Sequence, residues 1–187
     1  LKLAEILQQA GLPDGVFNVI TGPGGTLGDA LVAHKRVNMI SLTGSTEVGR
    51  RVAEVCGRDL RRCALELGGK NAVIVLDDAD LDLVSEQVTM GAFGTTGQRC
   101  TATSRVIVQR GAYNAFTERL VAAAQKLRIG DGLESSTEMG PLVNAGRVKA
   151  VHEYTQIGKQ EGAKLVSGGE VLRGDSYDDG AFYRPTI

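Results

Sequence analysis

The stretch MISLTGSTEVGRRVAE, residues 39–54, decides the fold. An apolar run, MISL at 39–42, predicts a strand, and the helical pattern near 46–57 follows at once across Gly44, Ser45 and Thr46. A strand running straight into a helix aims the helix N-terminus, with its unpaired N–H groups and partial positive charge, at whatever lies above the strand. A phosphate is the natural occupant, with Gly44 and Ser45 the first residues to meet it. The same residues read equally as a helix cap supplied by Ser45 or Thr46. The spacing from Gly44 to Gly49 is GxxxxG, so neither the GxGxxG dinucleotide fingerprint nor a P-loop is present.

Outward from this stretch the pattern repeats. FNVI at 17–20, AVIVL at 72–76 and RVIVQ at 105–109 predict strands, as does the closing FYRPTI at 182–187. Helices are predicted near 25–34, within 81–93, near 113–127 and near 144–160, and LKLAEILQQAGLPDG at 1–15 opens as an amphipathic helix. This alternation is the rhythm of a parallel sheet, and the fold class is α/β. The doublet Gly68-Gly69 predicts a hinge, dividing the chain into residues 1–67 and 68–187. Upstream, TGPGGTLGDAL at 21–31 repeats the strand-to-helix turn, and Gly24 and Gly25 suit either the floor of an adenine pocket or an ordinary glycine-rich turn.

The chain has 187 residues, 42% of them hydrophobic, enough for a buried core. Twenty-one lysines and arginines stand against 22 acids, a net charge of −1. That balance gives no general attraction to nucleic acid or an anionic membrane. No apolar run approaches the roughly 20 residues of a membrane span. The three cysteines, Cys56, Cys63 and Cys100, form no CxxC pair, which suits reduced thiols in a cytoplasm. A first residue that is not methionine and a last segment without a polar tail predict that both ends are cut from a longer chain.

Two residues carry the chemistry. In FGTTGQRCTATSR, residues 93–105, Cys100 sits in a small polar loop beside Arg99, and Gly97 allows a sharp turn. A cationic neighbour and a helix N-terminus raise the thiolate fraction, which makes Cys100 the candidate nucleophile. Cys56 and Cys63, in helical and strand settings, read as buried, inert small hydrophobes. Glu66 ends the apolar strand ALEL at 64–67, where partial desolvation would raise its pKa toward the range of a general base.

Other polar features read as structural. The acids of DDADLD at 77–82 lack the glycine and terminal glutamate of a calcium loop, so capping of the next helix by Asp80 is expected and no metal site. Arg50, Arg51, Arg58, Arg61 and Arg62 read as a solvated face, and His34 and His152 as surface or helix-end residues.

Taken together, LTGSTEVGR at 42–50, LELGGKN at 65–71, DDADLD at 77–82, GQRC at 97–100 and GPLVN at 140–144 resemble the NAD(P)-dependent aldehyde dehydrogenase superfamily, in order and at its spacing. Glu66 and Cys100, 34 residues apart, agree with the family pattern. The resemblance implies part of a Rossmann-like NAD(P)-binding sheet over 1–67 and part of a catalytic domain over 68–187. It implies an aldehyde substrate, NAD or NADP as cofactor, and a covalent route through a Cys100 thioester that Glu66-activated water hydrolyses. Relatives that release acyl-CoA generally lack this glutamate. Gly44 and Ser45 would face the pyrophosphate, Gly24 and Gly25 would border the adenine, and Leu67 would lie at the cofactor.

The flavour of GAFGTTGQRCTATSRVIV, residues 91–108, is that of bacterial semialdehyde dehydrogenases such as the α-ketoglutarate-semialdehyde type. The resemblance also implies a homodimer or homotetramer in the cytoplasm. The family's asparagine donor to the oxyanion and its ribose-gripping lysine and glutamates have no counterpart here, so the chain by itself is expected to be nearly inactive and prone to aggregate. A retired scaffold serving as a structural or interaction protein is the alternative.

Overall fold

The reason the decisive stretch folds as it does lies in glycine. Met39–Gly44 forms a strand and Thr46–Arg58 a helix, separated by Ser45 alone. The helix buries Gly49, Val52 and Cys56, spaced by three and four residues, which is one face of a helix. A Cβ at Gly49 would stand 2.6 Å from Cδ2 of Leu67, so the missing side chain lets helix and sheet approach closely.

The computed structural model describes residues 1–187, the side chain of Asp175 excepted. They fall into two units, Leu1–Gly68 and Gly69–Ile187. In the first, α1 (Lys2–Gln9) is followed by a single π turn at Gly24–Gly28 and by α2 (Asp29–Ala33). Then come β1 (Met39–Gly44), α3 (Thr46–Arg58) and β2 (Arg62–Leu67). β1 and β2 pair in parallel, from Met39 opposite Arg62 to Gly44 opposite Leu67. Strand alternation sets Cys63, Leu65 and Leu67 on the face where Leu67 meets α3. Burial pushes the Cys56 thiol upward, and the neighbouring Cys63 adds to the shift while Arg61 opposes it. Cys56 is buried as expected, but Cys63, expected to be buried too, is exposed, because this face of β2 is covered only in part within the unit.

Two expectations fail in this unit. FNVI at 17–20 forms no strand, although Phe17, Val19 and Ile20 are exposed apolar residues. A strand needs a ladder, and among the described residues of this unit β1 pairs with β2 alone. Arg61 is not part of a solvated face. Its side chain is 10% exposed, and it donates to the carbonyls of Val32 at 2.6 Å, Val37 at 3.3 Å and His34 at 3.4 Å and to Asp59 at 3.0 Å. The turn from α3 to β2 folds the guanidinium inward, where its fork of donors meets carbonyls at the end of α2 and on the stretch that leads to β1.

The second unit holds β3 (Asn71–Val75), α4 (Leu81–Phe93), β4 (Thr103–Val108), α5 (Tyr113–Lys126) and α6 (Ala145–Gln160). β3 and β4 are parallel, and their register breaks after one pair: Asn71 faces Thr103 but Ala72 faces Arg105, leaving Ser104 as an extra residue. The core joins Val75, Val88, Ala112, Phe116 and Leu120, with α4 and α5 packed over the sheet. Full burial of a side chain such as Phe116 contributes about 1.5–3 kcal/mol.

The acids of DDADLD are spent structurally. Asp77 accepts from the Ala112 amide at 2.9 Å, Asp80 caps α4 by accepting from the Asp82 and Leu83 amides, and Asp82 pairs with Arg119 at 2.7 Å. His152 departs from its expected surface position. It is half-buried within α6, its Nδ1 3.2 Å from the Tyr183 hydroxyl. The closing FYRPTI makes only an isolated bridge at Tyr183 to Val171, while Ile187 exchanges backbone hydrogen bonds with Ser167. Among the described residues no helix is long and apolar enough to cross a membrane.

Candidate active site

The loop that carries Cys100 begins where α4 runs out. Gly94–Gly97 forms a tight turn in which Thr95, Thr96 and Gly97 all take left-handed backbone, φ +54°, +59° and +64°. For a threonine this conformation costs about 1–2 kcal/mol, so neighbouring contacts must hold it. Thr96 Oγ1 lies 3.2 Å from the carbonyls of both Gly140 and Pro141, to which it donates, and Gln98 Oε1 accepts from the Val143 amide at 3.0 Å. The GPLVN segment thereby pins the loop.

Gly97 has a stricter requirement. Its left-handed φ is joined by space, because a Cβ there would meet the Ala92 carbonyl oxygen at 2.8 Å. Gly97→Ala is expected to cost the left-handed penalty of about 1–2 kcal/mol and to add that backbone overlap. Denaturant unfolding of the intact protein checks this, and a variant as stable as the parent would contradict it.

Cys100 follows as an exposed residue in a turn between this loop and β4. It does not sit at a helix N-terminus, contrary to the expectation from sequence. No hydrogen bond joins the Arg99 guanidinium to its sulfur among the described residues. Arg99 instead reaches back toward Gly94 and lends its carbonyl to the buried Ala102, whose amide donates to it at 3.0 Å. The side chain of Asn71, the first residue of β3, donates through Nδ2 to the Cys100 carbonyl at 2.7 Å and the Ala102 carbonyl at 3.2 Å. Arg105 Nε and Nη2 both donate to the Lys70 carbonyl, at 3.1 and 2.6 Å.

The other predicted residues lie in the first unit. Glu66 is on β2 opposite Thr43, and Leu67 is opposite Gly44, so the strand ends bring Gly44, Ser45, Glu66 and Leu67 together. Glu66 is exposed, and the partial desolvation expected of it is not supplied by this unit. Ser45 caps α3, its Oγ accepting from the Val48 amide at 3.2 Å. That leaves the Ser45 hydroxyl proton and the first-turn amides of Thr46 and Glu47 without a carbonyl of their own helix. Gly24 and Gly25 are exposed in the π turn, with nothing within 4 Å of a Cβ at either. Leu67 packs its side chain against Gly49 of α3. Sequence reasoning missed Asn71, Gln98 and Thr96 as the residues that shape the Cys100 turn. Asn71 stood inside LELGGKN, and a polar side chain opening the apolar run AVIVL was the available signal.

Comparison with known proteins bears on the family and the fold. The sequence profile of the Aldehyde dehydrogenase family matches residues 1–187. An alpha-ketoglutaric semialdehyde dehydrogenase of Bacillus subtilis is 44% identical over 186 residues, and a 2,5-dioxopentanoate dehydrogenase of Saccharolobus solfataricus is 46% identical over 188. In both cases all of this chain is covered but only 38% of the relative, so the chain spans well under half the length of these proteins. Among solved structures, HpcC of Thermus thermophilus superposes with a TM-score of 0.95 at 41% identity. A betaine aldehyde dehydrogenase of Staphylococcus aureus, in complex with NAD+, superposes with 0.96 at 35%. Each structure is matched over 99% of this chain and 37% of its own. The α/β architecture and the sequence both assign the chain to the aldehyde dehydrogenase family.

Proposed function

We propose that the protein containing this chain oxidises an aldehyde, a semialdehyde by preference, to a carboxylic acid with NAD or NADP. The observation that carries the reading is an exposed thiol, Cys100, on a turn held by Asn71 and entered from a loop that Thr96 and Gln98 tie to the segment 140–143. Rigid support of this kind is what a nucleophile requires, since reacting atoms must be held within a few tenths of an ångström.

In this reading Cys100 attacks the aldehyde carbon as the thiolate, and its backbone N–H donates to the oxygen that takes up the charge. A bound nicotinamide would supply the two-electron acceptor that turns the resulting thiohemiacetal into a thioester. Glu66 takes a proton from water, the hydroxyl adds to the thioester carbon, and the C–S bond breaks to release the acid and return the thiol. Residues 1–67 then serve as the cofactor-binding portion and 68–187 as the thiol-bearing portion. The cofactor fits what the first unit offers: the free donors at Ser45, Thr46 and Glu47 suit a pyrophosphate, and the bare backbones of Gly24, Gly25 and Gly44 leave room for close approach. Leu67, packed beneath Gly49, supports that helix end. Assembly as a dimer or tetramer in the cytoplasm belongs to the same reading and rests on the family resemblance.

The semialdehyde preference rests on the names of the relatives in Bacillus subtilis, Saccharolobus solfataricus and Pseudomonas putida, the last a glutarate-semialdehyde dehydrogenase at 42% identity. Betaine aldehyde dehydrogenases reach 45%, so betaine aldehyde is the natural competitor. The intact protein, offered α-ketoglutaric semialdehyde, glutarate semialdehyde and betaine aldehyde with each cofactor, is expected to form one NAD(P)H per carboxylate without coenzyme A. Absence of NAD(P)H in every combination, or product only as a CoA thioester, would overturn the reading.

A further inference from the structure

We propose that Asn71 is a positioning residue for Cys100: by donating to the Cys100 and Ala102 carbonyls it sets the direction of the thiol and of the backbone that carries it. The inference rests on the reading of Cys100 as nucleophile and goes beyond it, because Asn71 touches no reacting atom.

Three observations carry it. Both partners of the Asn71 amide are carbonyl oxygens, at 2.7 and 3.2 Å, so the nitrogen must face them and both its protons are committed. The two carbonyls bracket Thr101, so one rigid planar group spans the turn from the nucleophile to the buried Ala102. Finally, the bulge at Ser104 falls directly after this turn, where the ladder breaks between Asn71 and Ala72. An extra residue there re-aims the incoming chain, as bulges beside functional sites do, and Asn71 occupies the last regular pair before it. The side chain thus ties the turn to the start of β3 just ahead of the point where the ladder changes register.

The chemistry of the contact distinguishes positioning from packing. Asn71→Asp keeps size and shape but presents oxygens to two carbonyls, whereas Asn71→Ser is smaller but keeps a donor. In the intact protein, kcat, both KM values, thermal melting and the rate of Cys100 alkylation by iodoacetamide, followed by peptide mass spectrometry, are to be compared. Asn71→Asp is expected to lower kcat and the alkylation rate together by about 100-fold, the scale of an ångström's misplacement, with both KM values unchanged. Asn71→Ser should recover part of both rates. Parental rates in Asn71→Asp, or a loss confined to melting temperature, would overturn the proposal, as would an Asn71→Ser no better than Asn71→Asp. Should Asn71→Asp fail to fold, Asn71→Ser against Asn71→Ala decides, equal rates overturning it. Turnover surviving in Cys100→Ala would instead sink the nucleophile reading, and the alkylation rates would still judge the positioning.

Discussion

Cys100→Ala in the intact protein is expected to lose NAD(P)H formation by a factor on the order of 10⁴ or more, the scale seen when a covalent nucleophile is deleted. The fold should not suffer, since Cys100 is exposed and the bonds that shape its turn go to its backbone. Melting temperature and cofactor binding therefore act as internal controls and should match the parent. The remaining thiols cannot substitute. Cys56 is fully buried, and burial pushes its thiol upward, away from the reactive thiolate. Cys63 is exposed on β2 but has no supported turn around it, so Cys63→Ala should retain activity. Equal rates in the parent and Cys100→Ala would remove the nucleophile assignment.

Glu66→Gln should separate the two halves of the reaction. Glutamine has the shape of glutamate and no basicity, so thioester formation at Cys100 is expected to proceed once while its hydrolysis stalls. Rapid mixing should register a burst of NAD(P)H equal to the number of chains, followed by steady turnover lower by about 10²–10⁴-fold, the usual contribution of a general base. The acylated Cys100 peptide should accumulate and be visible by mass. Unchanged turnover would contradict the role, and loss of the burst itself would move Glu66 to a step before thioester formation.

Much of the architecture was legible in the sequence because short apolar runs and glycine turns are local signals. The strand expected at 39–42, which runs on to Gly44, the helix that Ser45 caps and the cap at Asp80 all stand where the residues placed them. FNVI at 17–20 misled because a strand exists only with a partner, and pairing is not written in the run itself. Arg61 misled for a related reason: its neighbours Arg58 and Arg62 are exposed, and only the turn that brings the carbonyls of Val32 and Val37 together makes a buried site for it. At the site, the candidate nucleophile and base could be named from motifs. The Asn71 clamp was signalled only by a polar residue opening an apolar run, and the left-handed run of Thr95 and Thr96 not at all, since what holds each is a contact between segments far apart in the chain.

The way each sheet is closed bears on how the protein is made. β1 meets β2 only after α3 has been spanned, and β3 meets β4 only after α4 and the Cys100 loop. Parallel pairing of this kind requires loop closure before any ladder bond can form, which slows nucleation. Yet both crossovers are internal to their own unit. On a translating ribosome both strands of the first ladder leave the exit tunnel before Cys100 does, so the order of synthesis presents the helix end at Ser45 and its sheet ahead of the thiol.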